Sequence, residues 1–212
     1  MFSANYKDMQ VQLIDQNPPP TQYNINADAT IRGAEIDLTA LATDKLTLRA
    51  SYGYTDAKYG SNIASQTIPP PPRAQVPTLG TSTPLLRAPK SSYMVAASFR
   101  QPLQSDADLL FDLNYGWKGE QASTSTPTNM VIMPSYGLLN GRLEYRSHKN
   151  WAVAIYGNNL TDQYYLTSAM DPAGPASKYT YGSGQTHDAV FGFTMYDVGR
   201  PRELGIEASY KF

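Results

Sequence analysis

Three charged residues at two-residue spacing, Arg142, Glu144 and Arg146, are the most suggestive chemical groups in this sequence. In an extended strand, residues at this spacing lie on one face, where they can pair across a watery surface or line a permeation path. We expect an ion ladder that stabilises a wet wall. No nucleophile-elbow spacing joins the Ser, His and Asp residues, and no phosphate-binding loop is present. The sequence therefore predicts a protein that is not an enzyme.

The composition argues against a metal site and against nucleic-acid binding. Cysteine is absent and only two histidines occur, His148 and His187, which removes thiolate metal sites and leaves little for zinc. Neither histidine has an obvious second ligand nearby in sequence, and we expect both to be solvated. The formal net charge of −1, with no basic stretch, argues against a nucleic-acid partner. No metal and no cofactor are predicted.

The last eleven residues alternate strictly between apolar and polar side chains. One face carries Leu204, Ile206, Ala208, Tyr210 and Phe212, and the other carries Glu203, Gly205, Glu207, Ser209 and Lys211. Period two over this length is typical of a strand with one apolar and one wet side. A soluble chain usually ends in residues that fray into solvent. In an outer-membrane barrel, the same pattern places the apolar face against lipid and the charged face in the lumen.

Similar alternation recurs along the chain and predicts about eight strands. The segments lie at about 2–14, 22–40, 45–59, 92–101, 108–118, 139–146, 151–166 and 202–212. Helical periodicity is not evident, and no stretch approaches the roughly 18 to 20 apolar residues of a membrane helix. The mean hydropathy of −0.43 is compatible with a barrel, because a polar lumen face and loops dilute it. The pattern predicts one all-β, antiparallel domain.

The connections between these segments alternate in length. Short links fall at about 41–44, 102–106 and 147–150, and long links at about 15–21, 60–91, 119–134 and 167–199. Outer-membrane barrels have short periplasmic turns and longer extracellular loops in the same alternation. A soluble barrel or sandwich would show the same side-chain period with its apolar face inside. The alternation of link lengths favours the membrane barrel.

Aromatic residues near the predicted strand ends support a lipid-facing outer surface. Trp151 lies at an inner end, and Trp117, Tyr54 and Tyr59 lie at outer ends. Aromatic side chains of this kind are enriched at membrane interfaces. We therefore predict that these four residues form interface girdles and that the lipid bilayer is a partner of this chain.

Four stretches in order resemble one protein family. They are 26–38 (NADATIRGAEIDL), 46–57 (LTLRASYGYTDA), 155–165 (IYGNNLTDQYY) and 199–212 (GRPRELGIEASYKF). Their order and motifs are similar to the C-terminal part of the β-barrel of TonB-dependent outer-membrane receptors. Each stretch is weak alone, but together they cover nearly the whole chain.

The resemblance implies a particular domain organisation. Such receptors have a signal peptide, an N-terminal plug and a barrel of twenty-two strands. Residues 1–212 are then expected to be the C-terminal portion of the barrel domain, with the plug and the signal peptide absent from this chain. About eight strands cannot enclose a large transporter lumen, since barrel diameter grows with strand number. The chain is therefore expected to be a fragment of a larger transmembrane barrel.

The resemblance also implies a function. Such receptors carry out TonB-energised uptake of a scarce nutrient, of the siderophore-iron, cobalamin or oligosaccharide class. The expected partners are a small-molecule or metal-chelate ligand and the inner-membrane TonB complex, reached through the missing plug. The expected location is the Gram-negative outer membrane. Tyr179, Tyr181 and His187, in the last long link, are candidates for an extracellular ligand rim, although interface packing explains the aromatics equally well.

The terminal residues suggest an assembly role. Outer-membrane proteins resemble one another in ending on an aromatic residue that the barrel-assembly machinery recognises. Tyr210 and Phe212 fit this pattern and are predicted to be the assembly signal.

One alternative remains open at the level of sequence. Eight strands is also the smallest class of closed membrane barrel, and such a barrel could act as an anchor or adhesin. It would require the first strand to pair with the last, so that residues 9–13 contact residues 204–210.

Overall fold

The computed structural model describes residues 1–15, 21–63, 79–104, 106–124, 130–170, 178–180, 186–188 and 195–212. These residues form β-strands, turns and loops, without a helix. The strands are β1 (Phe2–Asp15), β2 (Thr21–Thr43), β3 (Leu46–Ile63), β4 (Ser91–Leu103), β5 (Ala107–Lys118), β6 (Gln121–Ala122), β7 (Ile132–Met133), β8 (Tyr136–Ser147), β9 (Trp151–Asn158), β10 (Leu166–Met170), β11 (Lys178–Thr180), β12 (Thr186–Asp188), β13 (Met195–Val198) and β14 (Glu203–Tyr210). Across these ranges, no helix is long and apolar enough to cross a membrane.

Eight long strands form one antiparallel sheet, in the order β1-β2-β3-β4-β5-β8-β9-β14. This confirms the predicted all-β antiparallel architecture. Each strand pairs with the next long strand along the chain, whether the connection between them is short or long. Two of the short turns contain residues with left-handed backbone, Asp106 (φ 58°) and Asn150 (φ 66°). Asp and Asn tolerate this conformation better than other non-glycine residues.

The seventh predicted segment is shorter than its sequence suggests. The alternation predicted a strand over 151–166, but β9 ends at Asn158, and β10 belongs to a separate two-stranded sheet with β13. The cause is a turn in which Asn159 and Asp162 both have positive φ, 50° and 52°. Two such residues within four positions turn the chain away from the extended direction, whereas the single one in β1, Asp8 (φ 54°), coincides only with a local shift of register.

The sheet is open in the part of the chain that the structure describes. β1 and β14 lie at opposite edges. Residues 9–13 pair with β2, with Met9 opposite Ala27 and Leu13 opposite Tyr23, and β14 pairs along β9. The strand order therefore differs from the β1–β14 pairing that a closed eight-stranded barrel would need.

The register gives the sheet two contrasting faces. Along β5, β8 and β14, one face is mainly apolar and the other carries most of the charged and amide residues, while β4 and β9 add small residues such as Ala96 and Ala154 to this second face. The apolar face is exposed, and its most accessible members include Leu204 (72% exposed) and Ile206 (78% exposed). We call these the apolar face and the polar face of the sheet. A large exposed apolar patch on a folded protein marks a surface that contacts another apolar phase.

Most of the buried hydrophobic residues lie near the long-loop end of the sheet. The largest cluster joins the outer parts of β1, β2 and β3 to the segment before β4, and contains Val11, Leu13, Ile25, Ala27, Ala29, Tyr59, Leu79 and Leu85. Leu79 and Leu85 thereby hold part of the β3–β4 loop against the strands. The same loop also bonds to the next one, because the amide of Arg87 donates to the carbonyl of Ala122 (3.0 Å). A smaller cluster of Val131, Met133 and Ala169 packs the β5–β8 connection against β10.

Candidate functional site

An ion network lies on the polar face, where β8, β9 and β14 run side by side. Arg142 Nη2 lies 2.9 Å from Glu144 Oε2, and Arg146 Nη2 lies 2.7 Å from Glu144 Oε1. Arg142 Nη1 also reaches Glu207 Oε2, 3.0 Å away on β14. Glu144 is only 8% exposed, because the two arginines cover it. The predicted ion ladder is confirmed, and Glu207 extends it across two further strands.

Neutral polar groups continue this face toward the long-loop end. Asn140 Nδ2 donates to Asn114 Oδ1 (2.9 Å), and the amide of Asn159 donates to Asn140 Oδ1 (2.9 Å). On the neighbouring strands, the Ser98 hydroxyl donates to Asp112 Oδ1 (2.6 Å). Charged and amide side chains thus alternate along one surface, as they do on the water-facing wall of a membrane barrel.

A second cluster lies at the short-turn end and was not found from the sequence. Arg100 Nη2 lies 2.7 Å from Asp108 Oδ2, and His148 Nε2 lies 3.2 Å from the same oxygen. His148 Nδ1 lies 3.3 Å from Asp106 Oδ1. Hydrogen bonds to Asp108 and then Asp106 raise the pKa of His148 above its usual range, since they favour the charged imidazolium. The cluster ties the β8–β9 turn to β5, and the His148 side chain, expected to be solvated, is half-exposed and paired with two carboxylates.

The Asn159 turn is the second feature that the sequence analysis missed. The Asn159 side chain is 4% exposed and makes three hydrogen bonds. Nδ2 donates to the carbonyls of Gln163 (2.9 Å) and Arg200 (3.1 Å), and Oδ1 accepts from the amide of Gln163 (2.8 Å). Asp162 Oδ1 accepts from the amide of Arg202 (2.9 Å). The turn therefore anchors the segment that leads into β14, which gives a physical role to two of the motifs quoted above.

Glycines on both faces let side chains lie flat against the sheet. On the apolar face, Leu160 folds back over Gly157, and a Cβ added there would overlap the leucine side chain. On the polar face, the Tyr156 ring covers Gly205 in the same way. Close approach of this kind requires a residue without a side chain.

The predicted girdle residues occupy different environments. Trp117 stacks on Tyr93 with ring centroids 5.3 Å apart near the long-loop end, and Trp151 stacks on Tyr145 (5.4 Å) near the short-turn end. Tyr54 is exposed on the apolar face. Their role at a membrane interface stays a prediction.

Tyr59 does not lie where the sequence analysis placed it. It is 3% exposed and belongs to the buried cluster that contains Leu79 and Leu85. Tyr59 lies five positions after Tyr54 in one continuous strand, so the two side chains point to opposite faces. The prediction of an interface position is wrong for Tyr59.

The candidate ligand rim is only partly within the described residues. Tyr179 and His187 are paired across the β11–β12 hairpin, and Tyr181 lies outside the described residues. A separate cavity of about 290 Å³, rich in aromatic residues, lies between the segment that leads into β8 and the segment that follows β9. Its walls include four tyrosines: Tyr136, Tyr164, Tyr165 and Tyr196. Tyr136 and Tyr165 stack with their ring centroids 4.6 Å apart.

The two terminal aromatic side chains are exposed, Phe212 more than Tyr210. Tyr210 ends β14 opposite Trp151, and its ring meets that of Phe212 edge to face, with centroids 5.2 Å apart. Both side chains are exposed, and their recognition by an assembly machinery stays a prediction. Within the described ranges, no group of three or more His, Cys, Asp or Glu residues is arranged to hold a metal ion.

Comparison with known proteins places this architecture in a family. The model of the TonB-dependent receptor-like β-barrel matches residues 1–160. Among solved structures, the ferric yersiniabactin uptake receptor FyuA from Yersinia pestis has a TM-score of 0.67 and 16% identity, over 99% of this chain and 26% of that one. The ferric-catecholate import receptor Fiu from E. coli K12 has a TM-score of 0.60 and 16% identity, over 99% of this chain and 24% of that one.

These coverages define the extent of the likeness. The chain spans about a quarter of the length of the two receptors it matches. At this identity, the structural likeness shows the fold alone. The family model covers most of the chain, and the open antiparallel sheet with its apolar and polar faces agrees with it. The chain belongs to the family of TonB-dependent receptor β-barrels.

Proposed function

We propose that this chain forms part of the wall of an outer-membrane receptor for TonB-energised uptake of a scarce nutrient. The observation that supports this most strongly is the two-faced sheet. Its apolar face is exposed on successive strands, while its polar face carries the Glu144 ion network and the Asn140 amide ladder. A wall between lipid and a watery lumen needs this combination.

The proposed assembly extends beyond this chain. Residues 1–212 would be the C-terminal portion of a larger barrel, because the two solved receptors are about four times as long as the region matched here. The strand edges at β1 and β14 would then pair with other strands, since open edges are not tolerated in a bilayer. The plug and the contact with the inner-membrane TonB complex would lie outside this chain. The barrel-assembly machinery would recognise Tyr210 and Phe212.

The proposed cargo is an iron–siderophore complex, with a cobalamin or an oligosaccharide as the other classes. Both solved relatives are named for ferric chelates, which favours the first class. Tyr179, Tyr181 and His187 would contribute to the extracellular rim, and the four-tyrosine cavity offers ring faces on which a planar ligand can stack. The protein would carry out transport without chemical conversion of its ligand.

Uptake by intact cells tests this proposal. Cells with the intact receptor, cells that lack it and cells that lack TonB would be given ⁵⁵Fe-loaded yersiniabactin, a ⁵⁵Fe catecholate, labelled cobalamin and a labelled maltodextrin. We expect one of these ligands to accumulate only in cells that have both the receptor and TonB. Equal accumulation of every ligand in all three strains would contradict the proposal.

The small closed barrel has no observation in its favour. It required β1 to pair with β14, and the strand order places these two strands at opposite edges of the sheet.

A further inference from the structure

A groove lies on the apolar face of the sheet, where β5, β8, β9 and β14 run side by side. Its volume is about 690 Å³. Large apolar side chains from all four strands line it, and the register arranges them in two rows across the sheet: Phe111, Leu113, Leu143, Ile155, Leu204 and Ile206. We call this space the Leu204 groove.

A pair of glycines shapes the row nearer the long loops. Gly141 on β8 is paired with Gly157 on β9, between the leucines that end this row. The Leu160 side chain lies over both glycines and bounds the groove toward the long loops. Its amide donates to the carbonyl of Leu139 (2.8 Å), which fixes its backbone. The shape of the groove is therefore set by strand pairing and by the turn that follows β9.

The groove offers contacts to a hydrocarbon chain. Among the described residues, Arg142 is the charged member of its lining, and that guanidinium is paired with Glu144 and Glu207 on the polar face. Lipid tails are as apolar as leucine, so association inside a bilayer depends on van der Waals packing rather than on the hydrophobic effect. A groove surrounds a chain on more sides than a flat wall does and gives more of these contacts. An acyl chain is thus the occupant that fits the walls.

An arginine without a side-chain partner lies beside the end of the groove that is nearer the long loops. Arg202 comes two residues before Leu204, about 7 Å along an extended chain, and the alternation of β14 places it on the apolar side. It is exposed, and its guanidinium makes no hydrogen bond or ion pair with another described residue. The nearby carboxylates are engaged, because Asp162 Oδ1 accepts from the Arg202 amide (2.9 Å) and Glu203 Oε1 lies 3.7 Å from Arg200. A free guanidinium is well suited to phosphate, which it can contact with two parallel hydrogen bonds.

Arg202 also lies at the level where lipid head groups are expected. Tyr115 on β5 lies one row beyond the groove, and Arg202 stands at the same level beside β14. The ring of Tyr115 lies next to the stacked rings of Tyr93 and Trp117. Aromatic residues are enriched at the head-group level of a bilayer. A lipid whose chain lies in the groove would therefore hold its phosphate beside Arg202.

We propose that the Leu204 groove and Arg202 bind one phosphorylated lipid of the outer leaflet. One acyl chain lies in the groove, and the Arg202 guanidinium donates hydrogen bonds to the lipid phosphate. The source of the anion is a lipid head group rather than free phosphate, because the groove holds the attached chain. This inference rests on the proposed placement of the apolar face against lipid and is independent of the cargo.

Native mass spectrometry tests the proposal on the receptor purified from outer membranes and stripped of lipid by detergent exchange. The probes are dioleoyl phosphatidic acid and dioleoylglycerol, which differ only by the phosphate. Arg202→Gln removes the charge from the head-group contact, and Ile155→Trp fills the groove from a side chain that is 52% exposed. The matched control is Arg49→Gln, which removes the same charge from an exposed arginine on the polar face. Heat-modifiable migration establishes that each variant is folded.

We expect the intact receptor and Arg49→Gln to bind phosphatidic acid with the same affinity. Dioleoylglycerol should bind about tenfold more weakly, as expected for the loss of one charge-assisted contact. Arg202→Gln should lose about tenfold in affinity for phosphatidic acid and should bind dioleoylglycerol unchanged. Ile155→Trp should weaken the binding of both lipids by a similar factor, because both place a chain in the groove.

Three results would overturn the proposal. They are equal binding of the two lipids by the intact receptor, unchanged affinity for phosphatidic acid in Arg202→Gln or in Ile155→Trp, and displacement of phosphatidic acid by an equal concentration of inorganic phosphate. The last result would identify a site for the free anion. Lipid binding with the expected variant effects, in a receptor that fails the uptake test, would support this proposal and count against the transport function alone.

Discussion

Replacing Asn159 should loosen the turn that connects β9 to β14. Asn159→Ala removes three side-chain hydrogen bonds, to the amide and carbonyl of Gln163 and to the carbonyl of Arg200. At about 1 kcal/mol each, these bonds contribute roughly 3 kcal/mol. Alanine at φ 50° adds about 1 kcal/mol of backbone strain. The free energy of local opening should therefore fall by about 4 kcal/mol.

Hydrogen exchange measures this opening directly in the receptor purified from outer membranes. A change of about 4 kcal/mol corresponds to an increase in exchange of several hundredfold, because each 1.4 kcal/mol or so is a factor of ten. The affected amides are those of Asp162 and Gln163, which bond to the backbone and side chain of Asn159. Mass spectrometry of peptides that span residues 158–165 reports them.

Two variants separate the causes. Asn159→Gly removes the same hydrogen bonds but tolerates positive φ, so exchange should rise somewhat less than in Asn159→Ala. Asn158→Ala changes the exposed neighbouring asparagine and should leave exchange unchanged. If Asn159→Ala exchanges like the intact protein in this segment, the argument that its side chain holds the turn is refuted.

Three further predictions concern other parts of the sheet. Glu144→Leu should lower the free energy of unfolding in urea by about 2 to 3 kcal/mol, because two arginines lose a largely buried partner but keep some contact with water. The control is Glu35→Leu, which removes an exposed carboxylate of β2, and an equal loss of stability in both variants would contradict the role of the network. Asp108 and Asp106 favour the charged form of His148, so the stability that this charge adds is complete below pH 6.5 and is lost as pH rises through the raised pKa of the folded state. His148→Gln should remove this pH-dependent part of the unfolding midpoints measured between pH 5 and 9, and a pH profile identical to that of the intact protein would exclude the contribution. Deleting Phe212 from the complete receptor should lower its level in the outer membrane, measured by immunoblot, whereas Lys211→Ala should not; normal assembly without Phe212 would rule out an assembly signal.

The strands were predictable because each alternates with period two over many residues. The alternation in 108–118 and 202–212 needs no knowledge of neighbours, since a strand with one wet side dictates it. The spacing of Arg142, Glu144 and Arg146 likewise indicated their shared face. The participation of Glu207 depends on β14 lying beside β9, and the sequence alone does not specify that order.

Other features required register or tertiary packing. His148 directly follows Ser147, which pairs with Ala107 at the start of β5, and this register brings the imidazole beside Asp108. The end of β9 could have been found, because Asn159 stands where the alternation of Trp151, Val153 and Ile155 requires an apolar residue. For Tyr59, counting residues from Tyr54 would have revealed the opposite face. Leu79 and Leu85 lie in a loop without alternating apolar residues, so their burial against β1, β2 and β3 is evident only in the folded structure.

The most direct test of the central claim is an immunoblot of outer membranes with an antibody raised against residues 199–212. The proposal that this chain is part of a larger receptor wall predicts a band in the outer-membrane fraction several times larger than the 23.3 kDa of these 212 residues. A heat-modifiable band near 23 kDa, or a band confined to the soluble fraction, would contradict it.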